Sequence, residues 1–291
     1  MKKMLLKNNI WWIGAIDHDL RVFDIIMYTE FGTTSNSYMI KGSDKVALVE
    51  TVKRTFSEEY IKKVEEEIDL KDIDYIIVNH TEPDHAGTIE YLLKKGCYPT
   101  IIGSESAIRF LKEIANVPFK YKIVGHGDEL SLGDKTLQFV SAPFLHWPDS
   151  MYTYVKEDKV LFTCDSFGAH YAFDEILHSK VTKDEDYKSA LRYYFDMIFG
   201  PFKRYVLEAI DKIESLDIDM ICTGHGPVLD ENPGQIVDIY KEWATDTFPE
   251  KKTVVIPYVA AYGYTKALAM KIVEGLKAAG DIDIKLYDMV Y

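Results

Sequence analysis

Between residues 10 and 52, short apolar runs alternate with turn residues: Ile10-Trp11-Trp12-Ile13-Gly14, Tyr38-Met39-Ile40 and Val46-Ala47-Leu48-Val49, with Gly42-Ser43-Asp44 closing a hairpin between the last two. This grammar predicts an antiparallel or mixed sheet. From Ser57 the apolar spacing changes to three- and four-residue steps at Tyr60, Ile61, Val64 and Ile68, which predicts an amphipathic helix with a solvated Glu/Lys face. A buried strand follows at Tyr75-Ile76-Ile77-Val78, then a helix stopped by Gly96, a strand at Thr100-Ile101-Ile102 and a helix from Ser104 to Ala115. Between 120 and 164 the pattern returns to hairpins, turning at Gly133-Asp134 and Glu157-Asp158. Residues 184–215 read as one or two long helices interrupted at Gly200-Pro201, Asp219–Cys222 as a strand, and Asn232-Pro233 as the start of another helix. Two similar runs of strands and helices predict two sheets sandwiched between helices, an αββα architecture within an α/β (α+β) chain. Near residue 250 the pattern shifts once more, to a strand at Thr253–Pro257, a helix from Lys266 to Ala279 and a strand at Ile282–Tyr287. That is one β-α-β unit of a doubly wound sheet, with apolar faces it cannot cover alone. We therefore expect two domains, 1–250 and 251–291, the second an incomplete fragment.

Composition narrows the chemistry. At 291 residues and 47% hydrophobic content the chain can bury a full core. A net charge of -13 argues against nucleic acid or an anionic membrane as partner. No stretch reaches the roughly 18 apolar residues of a membrane span, and the start, Met1–Asn9, lacks the apolar core of a secretory signal. Cys97, Cys164 and Cys222 are too few and too dispersed for a zinc ribbon or a disulfide framework, so reduced thiols in a cytoplasm are expected.

The densest chemistry lies in Asn79-His80-Thr81-Glu82-Pro83-Asp84-His85-Ala86-Gly87, directly after the strand at 75–78. Positions i and i+2 leave a strand on the same side, so His80 and Glu82 can converge on one point; Pro83 then turns the chain, and Asp84 with His85 can face a second. Other candidates recur at strand ends: His146 in Phe144-Leu145-His146-Trp147-Pro148, Asp165 after Phe162-Thr163-Cys164, and His225 between Gly224 and Gly226. His18, His126 and His178 sit in charged or turn-like sequence and read as surface residues. Four histidines and three carboxylates with no thiolate suit two metal ions, iron or manganese at least as well as zinc. Cys164, next to Asp165, should face the other side of its strand, as a core residue.

The pattern His80-x-Glu82-x-Asp84-His85, then His146, Asp165 and His225, resembles the flavodiiron proteins over residues 5 to 291. It is similar to the wider metallo-β-lactamase fold, in which histidine usually stands where this chain has Glu82; a hard anionic donor there favours iron. The resemblance implies a metallo-β-lactamase-like αββα domain with a non-haem di-iron site, then a flavodoxin-like FMN domain. By family pattern His80, Glu82 and His146 hold one iron, Asp84, His85 and His225 the other, and Asp165 bridges. The implied reaction is reduction of dioxygen to water, or of nitric oxide to nitrous oxide, with electrons from a separate rubredoxin-type carrier to a homodimer or dimer of dimers. Two adjacent irons suit this, since each can give an electron to the bound diatomic. His170 and one of Tyr193 or Tyr194 are candidates for hydrogen bonding to the reduced substrate, and Trp147 for a pocket wall. The resemblance places FMN at Tyr262, Gly263, Tyr264 and Thr265; Ala260 stands where a hydroxyl residue is expected, and with the unit incomplete this chain alone is expected to bind FMN weakly or not at all. A binuclear hydrolase acting on an ester, thioester or lactam is the alternative.

Overall fold

The computed structural model describes residues 3–245 and 251–289. They form two compact units that divide after Thr245.

In the larger unit, a seven-stranded sheet runs in the spatial order Met4–Lys7, Ile10–Trp12, Tyr38–Lys41, Val46–Val49, Tyr75–Val78, Thr100–Gly103 and Lys120–Ile123. The first four strands pair antiparallel, as hairpins allow. From Val46–Val49 onward the pairing is parallel, because helices Ser57–Glu65 and Ile89–Lys94 carry the chain back between strands. The five strands of the second sheet lie in the order Glu129–Ser131, Thr136–Ser141, Met151–Val155, Val160–Cys164 and Met220–Thr223. Its last pair is parallel, joined through the helices of 184–213.

Three apolar clusters give the layers. Tyr38, Ile40, Val49 and Ile77 of the first sheet meet Leu137, Phe139, Met151 and Phe162 of the second, so the sheets face each other across one core. Met39, Leu48, Ile76 and Ile101 on the opposite face of the first sheet pack on Tyr60, Val64, Leu92 and Leu111 of its helices. Tyr152, Leu161 and Ile221 do the same for the second sheet against Leu191, Ile210 and Tyr240. This alternation of faces, set by the two-residue period of a strand, makes the αββα sandwich.

Two local features depart from the pattern read in the sequence. Asn232 does not cap the next helix with its side chain: it takes a left-handed φ of +47°, its carbonyl accepts from the Gln235 amide, and the helix starts at Gly234. The break at Gly200-Pro201 is broader than one residue, a π turn at Phe195–Phe199 followed by a 3-10 turn at Gly200–Phe202. Proline supplies no amide donor and crowds the turn before it, so the hydrogen-bond ladder widens ahead of it.

The smaller unit, taken by itself, is a parallel pair, Thr253–Tyr258 with Asp283–Asp288, joined by the helix Tyr264–Ala279. Gly263 precedes that helix in a left-handed conformation, φ +82°, and Ala269 and Val273 are the helix's buried positions. The expected domain boundary at residue 250 lies at the edge of a stretch, 246–250, that is outside the described residues.

Candidate metal centre

The ligand-bearing loops all leave the carboxyl ends of strands, at the rim shared by the two sheets. Asn79 closes the Tyr75–Val78 strand and ties the sheets together: its Oδ1 accepts from Thr153 Oγ1 at 2.7 Å, and its carbonyl accepts from the Met151 amide at 2.9 Å. One residue on, His80 is buried. Glu82 has extended backbone, ψ 142°, and Pro83 opens a single helical turn, Pro83–Ala86, that presents Asp84 and His85. Proline suits that first position because its absent amide would have been unpaired there anyway.

The structure brings together all seven side chains singled out in the sequence. Glu82 Oε2 lies 3.0 Å from His146 Nε2 and 3.3 Å from His80 Nε2. Asp84 Oδ2 lies 3.0 Å from His225 Nε2 and 3.4 Å from His85 Nε2. Asp165 stands between the two groups. Its Oδ2 faces His80 and His146 at 3.5 and 3.6 Å, and its Oδ1 faces His85 and His225 at 3.0 and 3.5 Å. Six of the seven residues are less than a tenth exposed, and the His146 side chain is 15% exposed.

Such a cluster fits metal cations. Both oxygens of Asp84 and the Oδ2 of Asp165 are buried without a hydrogen-bond partner, a cost that a bound cation removes. The donor atoms of His80, Glu82, His146 and Asp165 lie within 4.8 Å of one another, as do those of Asp84, His85 and His225. Imidazole and carboxylate donors without thiolate match a hard or borderline divalent ion. Without a cation, burial alone would lower His85, but the Asp84 and Asp165 carboxylates outweigh it and hold the imidazole up to about 10. Protons and metal therefore compete for the same nitrogens.

Neighbours orient the histidines. His80 Nδ1 lies 3.2 Å from both oxygens of Asp149, which also accepts from the Thr81 amide and hydroxyl at 2.7 Å. His225 Nδ1 donates to the Thr34 carbonyl at 2.5 Å, and Thr34 Oγ1 accepts from the Gly226 amide at 2.8 Å. Each bond puts the proton on Nδ1 and leaves Nε2 as the ligand atom. Asn36, fully buried, braces the His225 loop: its Nδ2 donates to the Thr223 and Gly226 carbonyls at 3.0 and 2.9 Å, and its Oδ1 accepts from Trp12 Nε1 at 2.8 Å. The sequence reading missed Asp149 and Asn36. Asp149, three residues after His146, was within reach of a search for carboxylates beside the ligands; Asn36 had no such signal.

The other candidates are distributed unevenly. His170 lies beside His225, ring centroids 4.8 Å apart, with Nδ1 bonded to Thr33 Oγ1 at 2.8 Å and Nε2 buried without a partner. Burial and then the charge of His225 hold its pKa well below the ordinary value, so it is neutral. Tyr194 is buried against it at 4.8 Å, and burial pushes its hydroxyl well up, so it stays a hydrogen-bond donor. Tyr193 is not part of this group: 39% exposed, it accepts from the Tyr28 amide at 3.4 Å and lines a cavity of about 220 Å³ with His170, Tyr28 and Phe31. A side chain one position from Tyr194 on a helix points about 100° away. Trp147 stands against His80, 5.1 Å between ring centroids. The hairpin Val22–Phe23 and Met27–Tyr28, unremarked in the sequence, puts Phe23 against His170 at 4.4 Å. From its turn Asp24 faces Glu82, and burial followed by the Glu82 contact pushes its carboxyl up to about 6. Cys164 is buried behind His85, within 4.8 Å of it and of Glu50, and outside the two clusters around Asp165. Tyr262 and Tyr264 are 90% and 84% exposed around Gly263, at the start of the helix in the smaller unit.

Comparison with known proteins adds three findings. A family profile described as ODP family beta lactamase matches residues 33–226. The flavo-diiron protein FprA2 of Clostridium acetobutylicum is 39% identical over 296 residues, covering 100% of this chain and 74% of that protein, and the type A flavoprotein fprA of Rhodobacter capsulatus is 38% identical over 288 residues, covering 96% and 65%. Among solved structures, the rubredoxin oxygen:oxidoreductase from Desulfovibrio gigas superposes with a TM-score of 0.79 at 29% identity, covering 98% of this chain and 71% of that one.

Proposed function

Because the chain belongs to the flavodiiron proteins, oxidoreductases that carry a di-iron site and FMN, we propose that its seven clustered side chains hold two iron ions at which dioxygen is reduced to water, nitric oxide to nitrous oxide, or both. Asp165 is the observation that supports this reading: its carboxylate turns one oxygen to each pair of histidines, so it would be shared by the two ions. His80, Glu82 and His146 hold one ion; Asp84, His85 and His225 hold the other. When bound, two irons supply two electrons at one place, so a diatomic need not leave as a one-electron radical.

The chain's own residues handle the rest. His170, neutral and with Nε2 free, can hydrogen-bond to a reduced substrate on the His225 side, and Tyr194 donates from beside it. Trp147 and Phe23 wall the site from either flank and limit water. In the smaller unit, Gly263 in its left-handed turn and Thr265 at the helix start offer amide and hydroxyl donors to the FMN phosphate, flanked by Tyr262 and Tyr264. Gly263 leaves open space around it, with nothing within 4 Å of the position a Cβ would take. Electrons come from a separate rubredoxin-type protein, a reading supported by the name of the Desulfovibrio gigas relative. We further propose a cytoplasmic homodimer or dimer of dimers; no helix among the described residues is long and apolar enough to cross a membrane.

The test is metal analysis followed by anaerobic mixing of the reduced protein with O2 or NO in a stopped-flow instrument. Two irons per chain and rapid consumption of either gas are expected. Two zinc ions with hydrolysis of a test ester would overturn the reading.

A further inference from the structure

The end of the Val46–Val49 strand touches the ligand loop twice. Glu50 Oε1 accepts from the Asn79 amide at 2.7 Å, one residue before His80. Thr51 then donates its amide and its hydroxyl to the His85 carbonyl, both at 2.7 Å. Glu50 is 2% exposed and holds a left-handed backbone, φ +59°, which a non-glycine residue adopts at a cost.

Its other oxygen is unused. Glu50 Oε2 is buried without a hydrogen-bond partner, and so is His85 Nδ1. A Glu50 carboxylate oxygen, a His85 ring nitrogen and Cys164 Sγ lie within 4.8 Å of one another. His85 Nε2 is turned to Asp165 and Asp84, at 3.0 and 3.4 Å, which leaves Nδ1 as the nitrogen without a partner. One group lacks a donor and its neighbour, in one tautomer, is a donor, so the two are complementary. The thiol of Cys164 is a weak acceptor beside a carboxylate and does not compete for that proton.

We propose that Glu50 is the positioning residue of the second metal subsite: its free oxygen accepts a hydrogen bond from His85 Nδ1–H, which fixes the ring and leaves the Nε2 lone pair for the ion. Which imidazole nitrogen binds a metal is set by the bond the other one makes. His80 stands in the same relation to Asp149. The inference rests on the two-ion reading given above, and it adds that the subsite of Asp84, His85 and His225 depends on a carboxylate that is not itself a ligand.

The test is a titration of the metal-free chain with cobalt(II), read by visible absorption, beside nitrogen-15 spectra that report the imidazole tautomers. Glu50→Gln keeps an oxygen for the Asn79 amide but turns an NH2 toward His85, which favours the wrong tautomer. The first equivalent should bind as in the parent and the second 10- to 100-fold more weakly, with the His85 proton moved to Nε2. Glu50→Asp, which keeps the charge and shortens the reach, should weaken only the second step and by less. Cys164→Ser should bind both equivalents as the parent does. Parental affinity for both equivalents in Glu50→Gln, equal loss of both steps in Glu50→Gln and Glu50→Asp, or a weakened second step in Cys164→Ser would each overturn the proposal. A parent chain that takes only one equivalent would overturn the two-ion reading, and this one with it.

Discussion

Replacing Asn36 by alanine tests whether the His225 loop is held in place by hydrogen bonds to one buried amide. The substitution leaves the backbone bond from the Asn36 amide to the Gly224 carbonyl, 2.8 Å, and strips three side-chain bonds. The Thr223 carbonyl keeps a second donor, Tyr38 Oη at 2.6 Å, so it is not stranded. The Trp12 indole N–H and the Gly226 carbonyl lose the amide that pairs them, in a region with no exposure at Asn36 or Trp12. A buried polar group left unpaired costs about 1–3 kcal/mol, so the two together cost roughly 2–6 kcal/mol. Set against a typical folding free energy of about 5–15 kcal/mol, this is a large loss. Urea denaturation of the metal-free protein, followed by tryptophan fluorescence, measures it directly. The midpoint should fall with the slope unchanged. A loss below about 1 kcal/mol at constant slope would refute the reasoning, because neither orphaned group would then be costly.

Three further outcomes are expected. Gly224→Ala would place a methyl group 2.8 Å from His85 Cε1 and 2.9 Å from the Cys164 carbonyl carbon; it should displace His85 and reduce the metal content of the purified protein from two ions toward one, measured by elemental analysis. His178 is held below its ordinary value of 6.5, first by burial, so the unfolded chain takes up its proton more readily. The stability it contributes is then present above about pH 6.5 and lost as pH falls through the depressed folded value, and in denaturation curves His178→Gln should lose less than the parent between pH 7 and 5.5. Chelation should lower the melting temperature of the loaded protein: an ion held at about 100 times its Kd adds about 2.7 kcal/mol, or roughly 5–11 °C for a domain of this size. An unchanged melting temperature after verified metal removal would show that the ions do not stabilise the fold.

What could be read from the sequence was local. The strand at Tyr75–Val78 and the loop after it announce themselves, because four donor residues follow an apolar run within six positions. His146, Asp165 and His225 were findable for a related reason, each standing just after a strand signal. Glu50, Asp149 and Asn36 act across 29, 69 and 190 residues of sequence separation, on Asn79, His80 and Gly226, and no periodicity encodes such pairings. Tyr193 and Tyr194 could not be ranked before the helix phase was known. Asn232 looked like a cap by residue type, but its left-handed backbone sends the carbonyl, not the side chain, to the next turn.

The centre is assembled from both halves of the sandwich. His80, Glu82, Asp84 and His85 follow a strand of the seven-stranded sheet, whereas His146, Asp165 and His225 follow strands of the five-stranded one. Neither half can present a finished set of donors until they have docked, and afterwards His146 is the most exposed of the seven, at 15%. Uptake of the ions should therefore be quick while the halves are still closing and slow once they have shut. An isotopically labelled metal added to the mature protein should exchange at the pace of transient opening between the sheets.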